Sequence, residues 1–356
     1  MTSSSRPEST AAERELKERL SELMAETGIT SQRTLVRRIL EAGIGLGQDG
    51  TARRDLKITA AAIEEMRAAF RLFAPHADTP KVSIFGSART QSLDPLWVSA
   101  EAAARALAAQ GWFVVTGAGP GIMEAAATGA GPEQSLGVSI RLPFEESPNA
   151  IIAEDGRQVA MKYFFTRKLM LVKESSGFIC LPGGFGTMDE TFELLTLQQT
   201  GKMDPAPIVL LDRAGGTFWR GFAAFVTEQL AASGLVSVDD LDRVLVTDSV
   251  ADAVAEVTGF WRNYDSLRWF DSQLVLRIKA EPTDAELADL NRRFTGLLET
   301  GQIQRTTPFP DELTDRDVPE LPRLVFTPRR RAVGELHRLI RALNELDSAP
   351  VDTRIG

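Results

Sequence analysis

The chain holds one cysteine, Cys180, and two histidines, His76 and His337, among its 356 residues. One cysteine excludes an intrachain disulfide and a thiolate metal cluster. With two widely separated histidines, a metal site would have to be built mostly from carboxylates, and none is expected. No stretch approaches the roughly 18 to 20 apolar residues that a membrane helix needs. The polar N-terminus lacks a secretory pattern, so a cytoplasmic setting without membrane contact is expected. Basic residues are outnumbered 49 to 40, for a net charge of −9. The overall field therefore repels a phosphate polymer, and no nucleic-acid partner is expected. A small anionic ligand in one pocket suits this balance better.

What is present fits a globular protein, with 43% hydrophobic and 25% charged residues and a length typical of two domains. Residues 1–10 are rich in Ser, Thr, Pro and Glu and are expected to be disordered. Residues 11–79 are expected to form a helical extension. Its first helix covers 11–27. The second starts after Thr30, uses Leu35, Ile39 and Leu40 as apolar positions and is broken by the glycines of 43–50. A third is capped by Thr59 and carries Ile63, Met66, Phe70 and Phe73. The run 30–40 reads as part of a packed helix hairpin rather than a DNA-reading helix.

From residue 80 strands and helices alternate, and the strands are continuous apolar runs, three of them read together with the glycine turn that follows: 81–88, 112–121, 135–143, 177–187, 206–212 and 243–248. Intervening helices are expected at 97–109, from 122, at 161–175, 188–201 and 218–234, and a last one at 250–262. Unbroken apolar strands alternating with helices predict an α/β fold, a doubly wound parallel sheet covered on both faces, over 80–264. Residues 265–356 predict a small α+β appendage in the order βαββα, with strands at 273–280, 302–308 and 322–328 and helices at 283–301 and 332–346. The basic run Arg329-Arg330-Arg331 reads as the solvated approach to that last helix.

Three glycine turns each follow a strand, where a doubly wound sheet binds its ligands. The first contains Gly86 and Ser87. The second contains Gly117, Gly119 and Gly121, followed by Ile122-Met123-Glu124. A dinucleotide fingerprint would need a third glycine at position 122 and an acid at the end of the next strand. Ile122 and Arg141 stand there instead, so a nicotinamide cofactor is not expected and no other cofactor is called for. The third turn, Pro182-Gly183-Gly184-Phe185-Gly186-Thr187, leads into Met188-Asp189-Glu190 at a helix start, where Thr187 can cap the helix or hold a phosphate oxygen. An acid so placed also favours the helix dipole, which is the plainer reading of Glu190. Upstream, Arg167 and Lys168 lie on a helix with Tyr163, Phe164 and Phe165, and a pocket-facing role fits them. Cys180, in an apolar strand, reads as core, and neither histidine is placed as a catalytic base.

The run from Gly117 to Ala126, the Arg167-Lys168 pair and the run from Pro182 to Glu190 together resemble the LOG family, over about 80–262. Its members include cytokinin-activating nucleoside monophosphate phosphoribohydrolases, and many bacterial relatives carry the label lysine decarboxylase. The resemblance implies a Rossmann-like fold, a homodimer or higher homo-oligomer, and a nucleotide substrate. It implies that Arg167 and Glu190 are the catalytic pair and that Gly183, Gly184, Gly186 and Thr187 hold the 5′-phosphate. Lys168 would bind ribose or phosphate, with Gly86, Ser87, Gly117, Gly119, Gly121 and Glu124 completing the substrate site. The implied reaction is hydrolysis of the N-glycosidic bond of a nucleoside 5′-monophosphate to free base and ribose 5-phosphate. Phe164-Phe165-Thr166 stands where plant-like members carry a polar residue, which favours an AMP-like purine nucleotide over a cytokinin ribotide. A non-catalytic nucleotide or molybdenum-cofactor carrier on the same fold is the alternative. Decarboxylation would need a Schiff-base lysine, and Lys168 beside Arg167 is poorly suited to that.

Overall fold

The computed structural model describes residues 11–142, 151, 156–329 and 332–351. The tail 1–10, Pro143, Arg330 and Arg331 lie outside these residues. The chain divides after Glu64 into two compact units. Among the described residues, no helix is long and apolar enough to cross a membrane.

The first unit contains α1 (Ala11–Glu26), α2 (Arg33–Gln48) and the start of α3 (Arg53–Phe73). Two expectations fail here. First, α2 runs through Gly43, Gly45 and Gly47 and stops only before Asp49 and Gly50, whose φ is +64°. Val36, Leu40 and Ile44, spaced four apart, form its half-buried stripe and outweigh the glycines' low helix propensity, while Leu35 and Ile39 are exposed. Second, α3 begins six residues before Thr59, whose hydroxyl donates to the Asp55 carbonyl inside the helix rather than capping it.

The second unit opens with the last turns of α3, so the boundary expected at residue 80 falls inside it. Then follow β1 (Lys81–Phe85), α4 (Pro95–Ala109), β2 (Phe113–Thr116), α5 (Ile122–Ala130), β3 (Ser135–Ile140), β4 (Gln158–Met161), α6 (Phe164–Lys173), β5 (Gly177–Cys180), α7 (Phe185–Gln199), β6 (Ile208–Leu211), α8 (Phe218–Phe225), β7 (Val244–Thr247) and α9 (Val250–Gly259). These strands make one sheet in the order β4-β3-β2-β1-β5-β6-β7, with every pair parallel. The chain winds outward from β1 to β4, then returns to the other side of β1 for β5 to β7. This is a doubly wound, Rossmann-like sheet with its switch point between β1 and β5.

Alternation along the strands feeds two cores. Val82, Ile84, Val114 and Ile179 pack with Leu107, Ile122 and Val257 from α4, α5 and α9. On the opposite face Phe178, Cys180 and Leu210 pack with Leu194, Trp219 and Phe222. There also Val115, Leu136 and Val138 pack with Ala69, Leu72 and Phe73 of α3 and with Met170 and Leu171 of α6. The need to cover β2 to β4 explains why the last turns of α3 belong to this unit. Strand β4 takes the start of the helix expected at 161–175, and α7 begins three residues before 188. The helix expected over 218–234 is α8 followed by a π-helical turn (Val226–Ala231).

The C-terminal part of this unit comprises β8 (Tyr264–Phe270), β9 (Gln273–Ile278), α10 (Asp284–Arg293), β10 (Leu298–Thr306), α11 (Pro310–Asp315), β11 (Arg323–Pro328) and α12 (Val333–Glu345). The antiparallel order is β10-β11-β9-β8. Strand β8 and helix α11 are additions to the expected βαββα, and α10 ends at Arg293 rather than 301. The segment after it joins an irregular β10 in which Gly301 has φ +74°. One sheet face buries Leu274, Leu276, Leu324 and Phe326 under Leu290, Leu339 and Ile340. On the same sheet Arg277 and Arg323 converge on Glu312 of α11, at 2.8 and 3.2 Å.

Candidate active site

The three glycine turns meet at the carboxyl ends of β1, β2 and β5, and the main chain of Ser87 holds them together. Its N–H donates to the Pro182 carbonyl at 3.2 Å, and its carbonyl accepts from the Ile122 N–H at 3.1 Å. The turns approach so closely that side chains do not fit. A Cβ on Gly121, where φ is +69°, would lie 2.3 Å from the Ser87 carbonyl oxygen. A Cβ on Gly183 would lie 2.2 Å from Thr187 Oγ1 and 2.8 Å from the Ser87 nitrogen.

Above these turns opens a cleft of about 1500 Å³. Gly86, Ser87, Gly117, Gly119, Glu124, Gly183, Gly184, Gly186 and Thr187 all line it, together with Arg167 and Glu190. Gly121 does not. Its part is the contact with Ser87 that packs the second turn against the first. Helix α7 starts at the cleft with Gly184 as N-cap and no side-chain capping bond, leaving its first N–H groups without a side-chain partner. Thr187 is therefore not the cap. It is the third helical residue, buried, with its carbonyl accepting from the Thr191 hydroxyl at 2.7 Å.

Arg167 comes from α6 and Glu190 from the second turn of α7. The guanidinium Nε donates to the Val138 carbonyl at 2.9 Å, and Nη1 donates to Glu190 Oε1 at 3.2 Å. A Cβ on Gly117 would lie 2.0 Å from Arg167 Nη2, so the glycine makes room for the arginine. Burial pushes the Glu190 carboxyl above the usual range, more than the positive charges of Arg167 and Lys168 pull it down. The group can thus exchange a proton closer to neutrality than an ordinary glutamate.

Lys168 departs from expectation, since it does not line this cleft. Consecutive helical residues project about 100° apart, and here Arg167 turns toward the cleft while Lys168 turns toward α7. The Lys168 ammonium pairs instead with Asp189 Oδ2 at 2.7 Å and Glu193 Oε2 at 2.9 Å. Burial works to lower its pKa, but these two carboxylates outweigh it and hold the ammonium charged. Cys180 lies in the core, where burial pushes its thiol up.

The sequence reading passed over several lining residues. Phe218, Phe222 and Phe225 of α8 form one wall, and their i, i+4, i+7 spacing was the available signal. Arg141, at the end of β3, also faces the cleft while its Nη2 donates to the Ala160 carbonyl at 3.2 Å. Arg89, exposed in the first turn, lines the cleft too.

Comparison with known proteins matches residues 121–257 to the family described as possible lysine decarboxylase. The chain is 32% identical over 157 residues to a cytokinin riboside 5′-monophosphate phosphoribohydrolase of Mycobacterium marinum, covering 44% of this chain and 81% of the relative. It is 30% identical over 177 residues to the protein of the same name from Mycobacterium tuberculosis, covering 49% of this chain and 90% of the relative. Among solved structures it is similar to the molybdenum cofactor carrier protein of Chlamydomonas reinhardtii, at 20% identity and a TM-score of 0.35, over 51% of this chain and 96% of that one. The glycine turns, the Arg167–Glu190 pair and the coverage of four fifths or more of both mycobacterial relatives agree: the chain belongs to the LOG family, the group that includes the cytokinin riboside 5′-monophosphate phosphoribohydrolases.

Proposed function

We propose that the protein hydrolyses the N-glycosidic bond of a nucleoside 5′-monophosphate, with an AMP-like purine nucleotide as substrate, releasing the base and ribose 5-phosphate. The observation that carries this reading is the Arg167–Glu190 pair, 3.2 Å apart beside a glycine cradle. The uncapped start of α7, with Gly183, Gly184 and Gly186 around it, suits a 5′-phosphate, because open N–H groups and the helix dipole both favour an anion. The α8 phenylalanines offer an apolar wall to the base.

Cleavage shifts the C1′–N bond pair onto the base and leaves positive charge on the ribose ring. The Glu190 carboxylate stabilises that charge and takes a proton from the water that adds to C1′. The Arg167 guanidinium offsets the negative charge growing on the departing base, which then gains a proton from solvent. A pyridoxal-type decarboxylation is disfavoured by the chemistry of Lys168, since its ammonium is held charged by two carboxylates and no lysine lines the cleft among the described residues.

The testing experiment offers AMP, GMP, IMP, CMP, UMP and an isoprenoid AMP to the protein and measures free base. Release from AMP above the others supports the reading. Binding without release from any of them overturns it in favour of a carrier. We also propose a homodimer, with the exposed Phe165 and Leu169 of α6 in its interface. Light scattering that gives a monomer mass at micromolar concentration would reject this.

A further inference from the structure

Helix α6 carries Arg167 but cannot fix its own first turn. Its N-cap is Tyr163, which makes no side-chain capping bond. The first two helical residues, Phe164 and Phe165, are 53% and 54% exposed, so no apolar anchor holds that end. The helix is seated in the core only further along, by Met170 and Leu171.

A carboxylate of α3 braces that end instead. Glu65 is buried, and its two carboxylate oxygens bind the residue before the N-cap of α6 and the third residue of the helix. Oε1 accepts from the Lys162 N–H at 2.7 Å, and Oε2 accepts from the Thr166 hydroxyl at 2.6 Å. The Thr166 hydroxyl also lies 2.8 Å from the Tyr163 carbonyl. A hydroxyl has one proton, and the shorter, charge-assisted contact takes the larger share of it. Thr166 is fully buried, so water does not replace the carboxylate as its partner. A carboxylate at a helix start also meets the positive end of the dipole.

We infer that Glu65 is a positioning residue for the reaction proposed above: through Thr166 it sets the rotation and height of the first turn of α6 and so aims Arg167 at Glu190. The arginine is the next residue after Thr166. Its amide closes the first helical hydrogen bond, to the Tyr163 carbonyl at 3.2 Å. Its guanidinium must reach the Val138 carbonyl and Glu190 together. Errors near 1 Å in such a geometry cost about 100-fold in rate. The residue lies outside the stretch that carries the family resemblance, on a helix that precedes the first strand.

The inference rests on the hydrolase reading, and the test separates the two. Base release by full-length wild type, Glu65→Ala, Thr166→Val and Thr166→Ser is measured with the nucleotide that wild type turns over best, alongside hydrogen exchange of the Arg167, Lys168 and Leu169 amides. Glu65→Ala and Thr166→Val are expected to lower kcat about 10- to 100-fold with KM within about threefold, and Thr166→Ser to stay within about twofold of wild type. Exchange at the three amides is expected to rise about tenfold or more in Glu65→Ala. Unchanged kcat in both loss variants, or loss in Thr166→Ser equal to that in Thr166→Val, overturns the inference. If Glu65→Ala does not fold, the two Thr166 variants decide. If wild type releases no base at all, the hydrolase reading fails, and exchange alone decides whether Glu65 holds α6: unchanged exchange rejects it.

Discussion

Arg167 Nη1 and Glu190 Oε1 lie 3.2 Å apart, yet burial leaves the Glu190 carboxyl easier to protonate than an ordinary glutamate. The partner guanidinium compensates only part of the cost of removing the carboxylate from water. The pair is therefore not optimised as an ion pair.

Glu190→Gln is expected to lower kcat for base release by about 100- to 10,000-fold while leaving nucleotide affinity within about threefold. In wild type, activity that needs the carboxylate should fall at acid pH with a limb above the ordinary glutamate range. The sign for stability is the reverse. A carboxyl with a raised folded pKa contributes stability at low pH that is lost as pH rises through that folded value. At neutral pH the uncharged glutamine should thus keep the melting temperature or raise it by about 1–3 °C. A melting curve well below wild type would show that the ion pair stabilises the fold after all.

Lys168 should behave as a scaffold residue. Lys168→Ala removes ion pairs to Asp189 and Glu193, both on α7 and partly exposed, and is expected to change kcat/KM by no more than about fivefold. Arg167→Ala should cost about 100-fold or more. Equal losses in the two variants would return Lys168 to the ligand.

Two glycines separate packing from binding. A methyl on Gly117 collides with Arg167 and is expected to cost about 100-fold in kcat. A Cβ on Gly184 meets nothing within 4 Å, so Gly184→Ala should keep the melting temperature. If the phosphate sits against the start of α7, the same change raises KM for AMP about tenfold or more. Steady-state kinetics on both variants checks this, and an unchanged KM in Gly184→Ala moves the phosphate elsewhere.

The parts of this site that could be read from sequence are those built from runs. Strands β1, β2 and β5 are mostly apolar segments that run into glycine turns, and the pattern led directly to the parallel sheet and its switch point. Strand β8 mixes Asp265, Ser266 and Arg268 with aromatics, because one of its faces meets the buried arginine network, so periodicity missed it. Strand β4 is only four residues long. The pairing of Arg167 with Glu190 came from resemblance, since no local pattern joins residues on different helices. Glu65 was out of reach for the same reason: its partners lie 97 and 101 residues away.

Glu312 is fully buried between Arg277 and Arg323 and also accepts from the Phe309 N–H at 3.0 Å. Its carboxyl is held below the usual range despite burial, by the Phe309 N–H and the two guanidinium groups. Glu312→Ala leaves the buried Arg323 guanidinium without a carboxylate and Arg277 with Asp317 alone, and is expected to cost about 3–5 kcal/mol. Urea denaturation measures this, and a loss under about 1 kcal/mol would mean that water replaces the carboxylate.

His337 is fully buried, and neither ring nitrogen has a hydrogen-bond partner among the described residues. Burial, with Arg341 and Arg243 nearby, lowers its pKa to about 3. A depressed folded pKa means that the unfolded chain takes up the proton first. Stability is therefore lost as pH falls from about 6.5 toward 3, by up to about 1.4 kcal/mol per pH unit. Denaturation of wild type and His337→Leu at pH 7 and pH 5 should show a smaller pH loss in the variant. Parallel losses would assign the acid sensitivity to other groups.

Ser87 joins the three turns through its amide and carbonyl, not its side chain. The floor of the cleft is therefore a matter of chain length more than of residue identity at that position. A replacement at 87 keeps both bonds, whereas inserting one residue into any of the three turns slides a strand end past its neighbours and opens the floor. Variation among proteins built on this plan should therefore accumulate by substitution within the turns and along the α8 wall, with insertions diverted to the far ends of the strands.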